Sequence, residues 1–160
     1  MQTQKSRRAK IREMSIDDLP AVYHLGEELF TSEEFPILYR TWDMYEVTEY
    51  FNVDPDYCLV AEIDKEIVGF IIGTTITKGT AWNYGYIAWI GVKPEFQRVK
   101  LGRRLYREVE KRMKREEGAR MMIADTDSND KDAICFFEKM GFLGHKEHLW
   151  LIKTLGKKRE

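Results

Sequence analysis

Apolar and polar side chains alternate through residues 9–14 (AKIREM), which predicts a first strand. Ser15 follows with Asp18 three positions on, a capping-box variant that opens a helix. Leu19, Val22, Tyr23, Leu25 and Leu29 or Phe30 then fall at helical spacing, and Asp17 and Asp18 suit the positive end of that helix. Pro36 interrupts the pattern, and Trp42, Tyr45, Val47 and Tyr50 mark a second short helix to about Phe51, with a loop over 52–56. YCLVAEID and EIVGFIIGTTI, joined by a turn at Asp64 and Lys65, predict a hairpin, and WNYGYIAWIGV a further long strand ending at Lys93 and Pro94.

The clearest helix comes next. Leu101, Leu105, Val109 and Met113 recur every four residues, Glu108/Arg112 and Glu110/Lys114 are spaced for ion pairs, and Gly118 closes the run. RMMIADT predicts a buried strand, DKDAICFFEKM an amphipathic helix stopped by Gly141, and FLGHKEHLWLIKTL a terminal pair of strands. The resulting order, β-α-α-β-β-β-α-β-α-β-β, predicts an α/β (α+β) fold with a mixed, mostly antiparallel sheet flanked by helices. No repeat or linker divides the chain, so residues 1–160 form a single domain, with 1–7 and 156–160 frayed.

A chain of 160 residues, 43% of them hydrophobic, is long enough for one core. Net charge is −1, which gives no global field to attract nucleic acid or an anionic membrane, and the basic blocks RRAKIR and KKRE are short. Two cysteines build no disulfide framework, and no cluster has zinc-ligand spacing, so no metal is expected. Cys135 reads as a small buried hydrophobe, and His145 and His148, three apart on a strand, face opposite ways. With no apolar leader or membrane-length run, the expectation is a cytoplasmic protein.

Charge is distributed unevenly over residues 93–107, KPEFQRVKLGRRLYR. Lys93, Arg98, Lys100, Arg103, Arg104 and Arg107 face a single acid, Glu95. Four of these cations crowd the start of a helix, whose positive end favours anions. A phosphate would reverse the sign, meeting both backbone N–H groups and basic side chains, with Gly102 permitting close approach. The alternative is a solvated basic face with Gly102 as an ordinary N-cap.

The stretch IAWIGVKPEFQRVKLGRRLY resembles the coenzyme A-binding motif of the GCN5-related N-acetyltransferases, Gln/Arg-x-x-Gly-x-Gly/Ala running into a helix. DKDAICFFEKMGF resembles the later helix of the same family, and the element order matches over roughly residues 8–154. The resemblance implies a GNAT-like fold in which two central strands splay apart to admit the pantetheine arm of acetyl-CoA. It implies backbone contacts from Ile90, Gly91 and Val92, a pyrophosphate loop of Gln97, Arg98, Val99, Lys100, Leu101, Gly102 and Arg103, and a far wall of Asn129, Phe136 and Phe137. Lys100 stands where the family carries its first loop glycine, and Phe137 where many members carry a tyrosine thought to protonate the departing thiolate.

The activity implied is acetyl transfer from an acyl-CoA donor to a primary amine by direct attack, with an oxyanion-binding amide near Ile90 and Val92. The acceptor is a protein N-terminus, a lysine or a small amine. Tyr84 or Tyr86 is the candidate to replace the missing acid. Asp125 is the candidate base, sharing a strand face with Met121 and Ile123 that would desolvate it. The acidic, aromatic stretch containing Glu33, Glu34, Tyr39 and Trp42 is the candidate acceptor region. A non-catalytic CoA-binding sensor is the alternative, and a homodimer stays open.

Overall fold

A computed structural model describes residues 8–30, 41–79, 82–116, 118–149, 151, 153 and 155–156. Its elements are β1 (Lys10–Glu13), α1 (Leu19–Leu29), α2 (Met44–Val53), β2 (Cys58–Ile63), β3 (Glu66–Lys78), β4 (Trp82–Val92), α3 (Leu101–Glu116), β5 (Met121–Ala124) and α4 (Lys131–Met140). The five strands lie in sequence order across one sheet. β1 to β4 are antiparallel neighbours, and β5 runs parallel to β4. The mixed, mostly antiparallel sheet flanked by helices is the architecture that the residue pattern predicts.

Helices cover both faces, which is why β2 and β3 read as nearly continuous apolar runs. Leu59, Ala61, Val68 and Ile71 face α3, where Leu101, Leu105, Val109 and Met113 are buried. Cys58, Val60, Phe70 and Ile72 face α1 and α2, with Val22, Leu25, Trp42 and Val47. The Cys58 thiol is buried, and desolvation raises its pKa to about 12. α1 packs tightly on Trp42, which precedes α2: a Cβ added at Gly26 would lie 2.0 Å from its indole.

Charged pairs tie down the edges. Arg12 on β1 donates to Asp18 at 2.6 and 2.9 Å and to Glu62 on β2 at 2.7 Å. Asp18 also accepts from the Ser15 amide and hydroxyl, so the expected capping acid serves two elements. Along α3, Glu108 meets Arg112 as expected, whereas Glu110 takes Arg107 and the Tyr106 hydroxyl.

Two expectations fail. Among the described residues after Met140, none joins a strand, and Leu143, Leu149, Leu151 and Leu155 are all exposed. Alternation is a local signal, but strand formation needs a partner edge that the pattern does not specify. Cys135 is exposed, because α4 turns Ala133, Phe136, Phe137 and Met140 inward and Cys135 lies off that stripe. No helix among the described residues is long and apolar enough to cross a membrane.

Two stability predictions follow from local geometry. Arg12 holds the Asp18 carboxyl at about 2, below its ordinary 3.8, so its stabilisation is complete above about pH 4 and is lost as pH falls towards 2. Asp18→Asn should cost about 2 kcal/mol near neutrality and flatten the acid limb of a urea-midpoint-versus-pH curve. In the β2–β3 turn, Asp64 and Lys65 have φ of 51° and 69°, the two-residue turn with both central residues left-handed. Lys65→Gly should raise the unfolding free energy by about 0.5 kcal/mol, strain relief outweighing the added entropy of the unfolded chain; equilibrium denaturation reads this directly.

Candidate active site

The β4–β5 ladder runs only from Tyr84 opposite Met121 to Ile87 opposite Ala124, although β4 continues to Val92. Divergence begins at a β-bulge. Ile72 pairs with Trp89 and Gly73 with Ile87, leaving Ala88 as the extra residue on β4. A bulge bends its strand and re-aims the side chains beyond it. Ala88 and Trp89 both join the α1–α2 core, while Ile87 and Ile90 pack on the α3 side. Strict alternation places Trp89 with Gly85 and Ile87; the bulge moves it to the face of Tyr86. Beyond Ala88, β4 has no β5 ladder partner, an arrangement in which an extended ligand can lie along a strand edge.

At the mouth of this gap the Tyr86 hydroxyl donates to Asp125 Oδ1 at 2.6 Å. The sequence proposes both residues separately, and the fold brings them together. Asp125 is exposed, and Met121 and Ile123 are 52% and 37% exposed, so the expected desolvating surface is absent. Tyr84 lies two residues back along β4, its ring stacked on Trp82 at 6.3 Å. Trp89 donates to Glu46 of α2 at 2.8 Å and contacts Phe30 and Trp42 at 4.9 and 5.1 Å. The sequence reading missed Glu46 and Trp89, since only the bulge and the lay of α2 join them.

After Val92, a 3₁₀ turn over Pro94–Val99 leads straight into α3. Lys100, between them, has φ 60° and ψ 27°. A right-handed turn followed by one left-handed residue aims successive N–H groups into a common concavity, an anion-binding nest. The Lys100 carbonyl accepts from the Arg104 amide, and the amides of Leu101, Gly102 and Arg103 precede the first helical bond. The first turn of α3 contains no acid. Several cations nearby are engaged: Lys93 pairs with Glu66, which raises its pKa, Arg104 donates to the Ala9 carbonyl, and Arg107 pairs with Glu110. Arg98, Lys100 and Arg103 have no partner among the described residues. Three open cations around a nest suit the phosphates of coenzyme A.

The remaining candidates divide by side-chain direction. Gln97 donates to the Val92 carbonyl at 3.1 Å, fastening the loop to the strand end. Leu101 is fully buried, leaving only its backbone for a ligand, and Val99 is exposed. A Cβ on Gly91 would meet Leu29 at 2.7 Å and Phe70 at 3.1 Å, so its missing side chain admits α1 rather than a ligand. At Gly102 the neighbour is Phe136, 3.3 Å from an added Cβ, which sets α4 against the start of α3. Phe137 packs on Phe136 and Phe142 at 5.3 and 5.1 Å. The Asn129 amide donates to Asp127 in the exposed β5–α4 turn. Trp42 is buried, its indole donating to the Tyr23 carbonyl, which leaves it a packing role under α1. Glu33, Glu34 and Tyr39 lie outside the described residues. Among the described residues, no group of three or more His, Cys, Asp or Glu is placed to hold a metal ion.

Residues 20–142 match the Acetyltransferase (GNAT) family. The sequence is 27% identical over 121 residues to the N-terminal acetyltransferase B complex catalytic subunit NAA20 of Arabidopsis thaliana, covering 75% of this chain and 69% of that protein. The fold is similar to Ard1 from Thermoplasma volcanium, with a TM-score of 0.69, 22% identity, and coverage of 84% of this chain and 82% of that one. It is also similar to AAC(6′)-Iy in complex with a CoA-linked bisubstrate analogue, at a TM-score of 0.70, 18% identity, and coverage of 91% and 98%. A family match across residues 20–142, on a fold that similar acetyltransferase structures share, establishes that this chain belongs to the GNAT acetyltransferases.

Proposed function

We propose that the chain acetylates the α-amine of a polypeptide by direct attack of the neutral amine, with Tyr86 and Asp125 handling the acceptor's proton. Family membership makes it an acyltransferase with acetyl-CoA as cosubstrate. The observation carrying the rest of the reading is the 2.6 Å Tyr86–Asp125 bond at the point where β4 and β5 part.

Acetyl-CoA supplies an activated thioester carbonyl. A cationic amine approaching the gap meets the Asp125 carboxylate and the Tyr86 oxygen lone pairs, which orient its N–H bonds and hand a proton to water. An α-amine with a pKa near 7.8 is about 14% neutral at pH 7, whereas a lysine near 10.4 is only about 0.04% neutral. Among the described residues this region holds no histidine, and its acid is open to solvent. Such a site suits the amine that gives up its proton more easily. The relative NAA20 supports the same acceptor class through the complex in which it is named.

Positioning and the backbone amides beyond Ala88 would carry the remaining work, since an amide near Ile90 can donate to the developing oxyanion. Phe137 donates no proton to the leaving thiolate, but a thiol pKa near 8.5 makes the thiolate a tolerable leaving group. We assign the same Tyr86 hydroxyl, reprotonated through its Asp125 partner, to that donation instead.

Free-thiol release from acetyl-CoA across a panel of peptides tests this directly. Peptides with open N-termini should be consumed at least about tenfold faster than Nα-blocked peptides carrying lysine. Faster acetylation of the blocked peptides would reassign the acceptor, and tight CoA binding without any turnover would favour the sensor reading. Tyr86→Phe and Asp125→Asn should each lower kcat/KM by about 10- to 100-fold with near-normal CoA affinity; unaltered turnover in both would move the proton chemistry elsewhere. Phe137→Tyr should leave turnover within about threefold, since the ring sits in the Phe136–Phe142 cluster, and a large gain in kcat would show that thiolate protonation limits the enzyme.

A further inference from the structure

We propose that Glu46 is a positioning residue for acetyl transfer: by holding the Trp89 indole it fixes the stretch of β4 whose Ile90 N–H receives the developing oxyanion. The inference rests on the oxyanion role given above to that amide and adds the side chain that aims it.

The backbone register sets where the amide points. The Lys93 amide donates to the Val68 carbonyl at 2.9 Å, and Val92, Gly91 and Ile90 lie opposite Gly69, Phe70 and Ile71. Pairs in an antiparallel ladder alternate between bonded and unbonded. Gly91 therefore bonds towards β3, while Ile90 and Val92 turn their N–H and C=O groups to the other edge. The Val92 carbonyl accepts from the Gln97 side chain at 3.1 Å, in keeping with that direction. β5 has no ladder with this part of β4, so the Ile90 N–H faces the gap from a strand whose ladder runs along its β3 edge. Its aim depends on what grips the faces of β4, and Trp89 is the first side chain past the bulge.

Glu46 serves that side chain rather than its own helix. Asp43 caps α2, its carboxylate accepting from the Tyr45 and Glu46 amides at 2.8 and 2.9 Å. An acid three residues after an N-cap is spaced to fold back onto the cap's own amide. Glu46 Oε2 instead takes the Trp89 indole N–H at 2.8 Å, from a half-buried position. Phe30 and Trp42 hold the body of the Trp89 ring, with centroids 4.9 and 5.1 Å away. Apolar contacts leave a ring free to slide in its plane, and a charge-assisted hydrogen bond at its edge stops that motion. α2 is a firm anchor, because Asp54 at its far end accepts from the Thr74 hydroxyl and from the Thr75 amide at 3.3 Å. The helix thereby spans the bulge, bonded on one side to Thr74 and Thr75, opposite Tyr86 and Gly85, and on the other to Trp89.

Isotope-edited infrared spectroscopy of acetyl-CoA labelled at its thioester carbonyl reads the oxyanion contact with no amine present. Bound to the wild-type protein, the carbonyl band should lie below its position in an aprotic solvent. Glu46→Ala should shift it to higher frequency, and Glu46→Gln, whose amide oxygen still accepts the indole N–H, should leave it in place. In turnover, Glu46→Ala should lower kcat about tenfold to a hundredfold with KM for acetyl-CoA within about twofold of wild type. Glu46→Gln should recover most of that loss. Trp89→Phe should match Glu46→Ala, and the double variant should be no slower than either single one. A wild-type kcat and carbonyl band in Glu46→Ala would overturn the proposal. So would a glutamine variant as slow as alanine with a raised KM for the amine, which would assign the carboxylate to the acceptor's charge. Parallel losses of melting temperature, CoA affinity and kcat with an unmoved carbonyl band would also overturn it, leaving Glu46 a packing role. A wild-type band at the aprotic position would remove the oxyanion reading together with this one. Rejection of peptide N-termini would remove only the acceptor reading, because the band is read without an amine.

Discussion

The single extra residue at Ala88 is the constraint on which the site depends. While β4 keeps regular pairing with β3, it also runs beside β5; once Ala88 is inserted, the ladder to β5 ends. The same displacement turns Trp89 towards α2, where Glu46 receives its indole N–H. One backbone irregularity therefore coincides with the end of the β4–β5 ladder and ties α2 to β4 through the Trp89–Glu46 bond. A bulge is stable only when its surroundings over-determine it. Here the Phe30–Trp42–Phe70–Trp89 aromatic cluster and the α3 core clamp β4 from opposite faces.

Electrostatics divides the molecule into two regimes. At the β1–β2 edge, charges are mutually satisfied: Arg12 is shared between Asp18 and Glu62, and Arg112 bridges Glu13 and Glu108. Around the loop before α3, Arg98, Lys100 and Arg103 have no acidic partner among the described residues, and the first turn of the helix holds no acid. The first arrangement stabilises the fold; the second leaves like charges close together at the positive end of α3.

This contrast also explains what was legible in the sequence. α3 and the strands packed under it announce themselves because periodic burial is a short-range pattern, and the basic run at residues 93–107 stands out against a remainder of the chain that is net acidic. Asp125 and Tyr86 are recognisable by position on their strands, but their hydrogen bond depends on the register Tyr86 opposite Ile123, a non-local fact. The bulge leaves no mark, because Ala88 is an ordinary apolar residue in an apolar run. Gly91 misleads for a related reason: its lack of a side chain is visible, but whether a ligand or Leu29 fills the space is decided by the approach of α1. The exposed leucines beyond Met140 show the converse, a strand-like pattern without a partner among the described residues.

Gly26 has a further consequence for how α1 seats on the sheet. With the Trp42 ring pressed against it, this point of α1 accepts no side chain without displacing an indole whose N–H is held by the Tyr23 carbonyl. The spacing between the first helix and the aromatic cluster is thereby set by a missing side chain, and any residue carrying a Cβ at position 26 would wedge the two apart.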